Sequence, residues 1–248
     1  MTTEVGGSAV GGSASDPVLA RRLQILSTEH WGLLAARSTA QSEVLTRITL
    51  HLTLVSAGLV TIGLLGQASH FASWFPAAAL GILGFVSAVG LLTLIRVLAV
   101  SEEDFMYVTA MNRIRGAYAE IDPVAATAFL ASTHDDELGM RVTYSFLRHR
   151  GGAEQILGSS SVLSMLVNGI VTGMFFGGLG ATLGVPLAGA VVIGVVVGLI
   201  VVAAAMGYSV YRFFSVWRAY PPLHPSEAPP AYWRMRRVPG VGGVRAKG

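Results

Sequence analysis

Two long stretches of the chain run apolar with almost no polar interruption, and they organise everything around them. No Asp, Glu, Lys or Arg stands between Arg47 and Arg96, and none between Glu154 and Arg212. A helix crosses a bilayer with about 20 apolar residues, so each stretch holds two crossings and a turn. Turn residues gather where the breaks are needed. Gly66-Gln67-Ala68-Ser69-His70 closes the first run, and Trp74-Phe75-Pro76 opens the second, with proline suited to a first helical turn. Gly177-Gly178-Leu179-Gly180 and Gly184-Val185-Pro186 divide the other pair. The pattern predicts spans at 48–67, 76–97, 157–179 and 186–210. The expected fold class is an all-α integral membrane protein, with four transmembrane helices as two hairpins (48–97 and 156–211) plus cytoplasmic amphipathic helices. Buried core helices of a soluble protein are the rival reading, but uncharged runs of this length exceed the usual soluble helix.

Outside these runs the periodicity changes. Residues 1–15 are a Gly/Ser-rich tail. Leu19, Leu23, Leu26, Leu33 and Leu34 recur at helical spacing among Arg21, Arg22, Glu29 and Arg37. They predict an amphipathic helix over 16–47 that can run straight into the first span. The segment 98–155 reads as three helices. Ser101 with Asp104 resembles a capping box, followed by the stripe Val108, Met111, Ile114, Tyr118 and Ile121. Asp122-Pro123 restarts a short helix to about Ala131. Thr133 with Asp136 opens a third, which Gly151-Gly152 ends. The tail 212–248 is Pro- and Arg-rich and expected to be extended beyond Tyr220. In it Arg234, Arg236 and Arg237, beside Tyr232 and Trp233, suit anionic lipid headgroups.

Composition narrows the picture further. Charged residues make up 12% of the chain, about half the proportion usual in soluble domains. With no cysteine, disulfides, thiolate metal sites and cysteine nucleophiles are excluded. The net charge of +3 is too small to point to a nucleic-acid partner. Lys and Arg avoid both short turns, and the positive-inside rule then puts the two termini and the centre in the cytoplasm. The first fifteen residues lack the apolar core of a signal peptide. These readings lead to a multi-pass protein of the bacterial inner membrane.

Candidate chemistry is sparse. Ser161, Ser164, Asn168 and Thr172 share one face of the third span at spacings of three and four. Such a face can line a water-filled path or hydrogen-bond to the next helix. Thr49, Thr53 and Ser56 form a similar row in the first span, where His51 is expected to reach the cytoplasmic interface. Gly169, Gly173 and Gly177 make a double GxxxG, matched by Gly194 and Gly198 in the fourth span. Small residues four apart allow close helix approach, either inside the hairpin or between subunits. His134-Asp135-Asp136 is the densest polar cluster, yet adjacent helix positions diverge and acidic residues suit a helix start. It is a weak metal candidate, and no metal, cofactor or catalytic residue is expected. No phosphate loop, nucleophile elbow or zincin motif occurs. No span core carries an acidic or basic residue, which argues against an ion-coupled transporter.

The segment from His30-Trp31-Gly32 to Arg47, with Met111-Asn112-Arg113-Ile114-Arg115 and His134-Asp135-Asp136, resembles uncharacterised bacterial four-span membrane proteins. An amphipathic helix feeding a two-span hairpin and then a cytoplasmic helix, over about 17–120, is similar to the SLATT membrane effectors of bacterial conflict systems. That resemblance implies pore formation in response to a signal; the second hairpin departs from the pattern. The expected function is non-enzymatic: a self-associating homo-oligomer in the lipid bilayer, pore-forming or channel-like. The alternative is an assembly subunit that recruits cytoplasmic protein partners through 101–150.

Overall fold

The computed structural model describes residues 16–145 and 159–228, and these residues form helices and connecting turns without strands. Four helices are long and apolar enough to cross a membrane. Helix α1 covers Asp16–Ala68 and α2 covers Phe75–Ile121. Two short helices follow, α3 at Pro123–Ala126 and α4 at Glu137–Tyr144. Helices α5, Ser160–Thr182, and α6, Leu187–Ala219, complete the described chain. The tail 1–15, the Gly151-Gly152 stop and Arg234, Arg236 and Arg237 lie outside the described residues.

The connections follow from local chemistry. Between α1 and α2, His70 and Phe71 take left-handed backbone angles, with φ 48° and 57°. The Phe71 N–H donates to the Gly66 carbonyl at 3.1 Å, and its ring meets Phe75 edge to face. Pro76 lies in the first turn of α2. Between α5 and α6, Gly184 at φ 90° supplies a conformation L side chains rarely adopt. Asp122 caps α3 by accepting from the Val124 and Ala125 N–H groups, and Asp136 caps α4 through the Gly139 N–H.

Helix α2 is the centre of the bundle, and α1 and α5 both run antiparallel to it. On one side Ala40, Val44 and Ile48 pack against Val97 and Val100. On the other, Met165 packs against Leu94, with Ala205 of α6 completing the cluster. The turns 69–74 and 183–186 thus share one end of the bundle, and neither carries Asp, Glu, Lys or Arg. The opposite end is laced with ion pairs: Arg37–Asp104, Arg96 with Glu43 and Glu103, Arg212–Glu102, and Arg113–Asp135. Along the apolar sections, large side chains such as Val60, Leu92, Ile170 and Leu199 stand exposed on the outside.

Two expectations need correction. The sequence predicts a fresh helix start at Ser101, yet α2 passes through it unbroken. Ser101 Oγ donates back to the Val97 carbonyl and meets Ser161, while Asp104 turns to α1. Both residues have better partners across the bundle than in a cap. The helix after Asp122 ends at Ala126, short of Ala131.

Candidate functional site

The polar face of α5 packs onto a matching face of α2. Ser161 Oγ lies 2.8 Å from Ser101 Oγ, and Thr172 Oγ1 lies 2.7 Å from Ser87 Oγ. Between these pairs stands Asn168, fully buried, whose Nδ2 donates to the Ser164 carbonyl at 2.9 Å. Facing it on α2 is Gly90. A β-carbon there would collide with both Asn168 Oδ1 and His51 Nε2. The glycine is therefore the recess into which α1 and α5 each insert a polar side chain.

His51 corrects the expectation that it reaches an interface: it is 2% exposed and points inward. It continues the α1 stripe of Val44 and Ile48, which α2 covers. His51 Nε2, Asn168 Oδ1 and Ser164 Oγ are each buried with no hydrogen-bond partner. The node is a meeting of hydrogen-bonding atoms from three helices, held by Ser, Thr, Asn and Gly rather than by charge. Gly90 and Ser87 were not singled out in sequence, since a glycine and a serine inside an apolar run carry no local signal.

Thr49, Thr53 and Ser56 are placed elsewhere. They lie exposed on the outer face of α1, remote in direction from the Asn168 face. The Thr49 and Thr53 hydroxyls donate to their own helix, at Leu45 O and Thr49 O, so an apolar surrounding leaves these donors satisfied.

The glycine ridge is spent between α5 and α6. A methyl on Gly173 would stand 2.5 Å from the Gly194 carbonyl oxygen, one on Gly169 2.8 Å from that of Gly198, and one on Gly177 2.9 Å from that of Ala190. Of the two uses open to these glycines, the contact within the chain is the one formed.

The acidic cluster ties down the chain after α6. Asp135 is fully buried and accepts from Arg113 Nε at 2.7 Å, Tyr220 Oη at 2.8 Å, Leu223 N at 3.1 Å and His224 N at 2.7 Å. Burial pushes its pKa up, but the His224 N–H, the Arg113 guanidinium and the other donors outweigh that and hold the carboxyl well below the usual range. Asp136 accepts from Ser226 N and Oγ as well as capping α4. The His134 N–H donates to Ser132 Oγ. Among the described residues no group of three His, Asp or Glu could hold a metal ion. The chain beyond Tyr220, expected to be extended, carries no helix in its described residues and is docked as far as Ser226.

A third hub sits on Asp104, which pairs with Arg37 at 2.6 Å, accepts from Gln41 Nε2 at 2.8 Å and receives the Tyr144 hydroxyl. It joins α1, α2 and α4. Burial, then the Asp104 charge and hydrogen bond, push the Tyr144 phenol far above its ordinary value. No family model, curated protein or solved structure matches the chain.

Proposed function

We propose that the chain is a non-enzymatic, multi-pass protein of the bacterial inner membrane that associates with copies of itself, with both termini cytoplasmic. Four apolar helices with exposed apolar flanks, and fixed charges confined to one end among the described residues, support the placement. Self-association is carried by one observation, the outer face of α1. Gly32, Ala35, Thr39, Ser42, Thr46, Thr49, Thr53 and Ser56 follow one another at alternating spacings of three and four, and all are exposed. That period is the seam of a left-handed helix pair, and small residues let the backbones close. A permeation path in such an oligomer is lined by Thr49, Thr53 and Ser56. The α5 polar face is already occupied by α2.

The native chain has no cysteine, so single cysteines test this directly in membranes. Thr46→Cys and Thr53→Cys form dimers on oxidation, while Ile170→Cys, also exposed but on α5, stays monomeric. Equal cross-linking at all three, or none at any, refutes the seam. In planar bilayers Thr49→Leu alters conductance and Asn168→Leu does not. A second reading, an assembly subunit recruiting cytoplasmic partners through 101–150, is favoured by the exposed Val124, Phe129 and Leu130 at the charged end. Co-purification from mild detergent separates the two.

A further inference from the structure

Among the described residues of the charged end, Arg115 is a half-buried cation that the ion-pair lattice does not use. Arg37 is held by Asp104, Arg96 by Glu43 and Glu103, Arg113 by Asp135 and Arg212 by Glu102. Arg115 is half-buried on α2, and among the described residues no carboxylate lies within ion-pair distance of it. Its one hydrogen bond there runs from Nη1 to Asn112 Oδ1 at 2.8 Å. Asn112 is fully buried and fixed in turn by Thr143 Oγ1 and the His134 carbonyl. A guanidinium carries five N–H donors in a planar fork, so Arg115 is oriented by one arm and leaves the others unused.

The opposing surface of α1 supplies a second unspent group. His30 Nδ1 is buried with no hydrogen-bond partner. Leu33, one turn further along, packs against the cluster of Val108, Met111 and Met140, which brings His30 towards Arg115, one turn beyond Met111 on α2. Burial first, and then the neighbouring charge, lower the pKa of both groups: Arg37 weighs on Arg115, and Arg115 on His30. A cation half out of water beside another cation is costly unless an anion joins it.

We propose that Arg115 and His30 form a binding site for a soluble oxyanion of the phosphate type. A planar fork matches paired phosphate oxygens, and the buried ring nitrogen adds a second contact from another helix. The source is soluble rather than lipid. Arg115 lies 19 residues beyond Arg96 on α2, about 28 Å at 1.5 Å per residue, out of reach of a headgroup level with Arg96. Only this exclusion of lipid rests on the membrane placement proposed above.

The full chain in mild detergent, titrated with inorganic phosphate at constant ionic strength, tests the site. Wild type shows a saturable rise in melting temperature, and Arg115→Gln shows none. In phosphate-free buffer Arg115→Gln melts at or above wild type, because it removes an unpaired cation. His30→Gln binds phosphate at least fivefold more weakly with its melting temperature in phosphate-free buffer unchanged, and carries the test if Arg115→Gln does not fold. The proposal is overturned by a wild type indifferent to phosphate, or by an undiminished response in His30→Gln or in a folded Arg115→Gln. Retention of phosphatidylglycerol on wild type but not on Arg115→Gln, with no response to phosphate, overturns it in favour of a headgroup site.

Discussion

Replacing Asp135 by Asn releases the segment after α6 while leaving the apolar bundle closed. The carboxylate is fully buried and is the common acceptor for Arg113, Tyr220, Leu223 and His224. Breaking a buried ion pair costs about 3–5 kcal/mol. Asn keeps the shape and part of the acceptor capacity, so about 3 kcal/mol is expected, or roughly a hundredfold in a local opening equilibrium at 1.4 kcal/mol per tenfold. The assay is amide hydrogen exchange on the full chain in detergent. The Leu223 and His224 amides, which donate to Asp135, exchange roughly a hundredfold faster in the variant, while amides within α5 and α6 are unchanged. The pH dependence has a definite sign. A carboxylate whose folded pKa is depressed stabilises fully above its unfolded value, near pH 4, and loses that contribution as pH falls towards the folded value. Protection of these two amides in wild type therefore holds from pH 7 to 5 and declines below about pH 4. Asp135→Asn shows no such decline. Unchanged exchange in the variant, or a wild-type loss already complete at pH 6, refutes the reasoning.

Three further outcomes follow from close contacts. Gly173→Ala places a methyl 2.5 Å from the Gly194 carbonyl; backbone cannot yield as a side chain can, so a loss of about 1–3 kcal/mol is expected, read as a lower melting temperature in detergent. Gly90→Ala fills the recess holding His51 and Asn168 and costs a similar amount. Adding His51→Ala recovers part of it, and strict additivity of the two changes would contradict the shared recess. At high pH, Tyr220 is the group to follow. Burial, then its hydrogen bond to the Asp135 carboxylate, push its phenol up to about 12. The docked segment is thus stabilised by Tyr220 below pH 10, and that contribution fades as pH approaches 12. Tyr220→Phe abolishes the alkaline step in the Leu223 and His224 exchange profile.

Much of the helical framework was legible in the chain because its signals are local. Charge-free runs of sufficient length mark apolar helices whatever surrounds them. Pro76 and Gly184 mark the turns because each favours particular backbone angles. Asp122 caps α3 because a short side chain reaches the next N–H groups without help, whereas α4 is capped by Asp136 and not, as the Thr133–Asp136 pattern suggests, by Thr133. The glycine ridges at 169–177 and 194–198 were equally visible, since small residues four apart describe a helix surface by themselves.

Tertiary structure decided what each of these surfaces meets. Ser101 and Asp104 have the pattern of a helix start, but a cap competes with other partners, and here Ser161 and Arg37 across the bundle prevail. His51 and Thr49 are two positions apart on α1 and point opposite ways, one into Gly90 and the other outward. Only the position of α2 distinguishes a buried polar node from an exposed hydroxyl row. Asp135 reads as another acid near a helix start until α2 brings it Arg113 and residues 220–224 bring it a phenol and two backbone N–H groups. Helix formation is settled within a few residues along the chain, whereas a hydrogen-bond partner some 90 residues away is settled by packing.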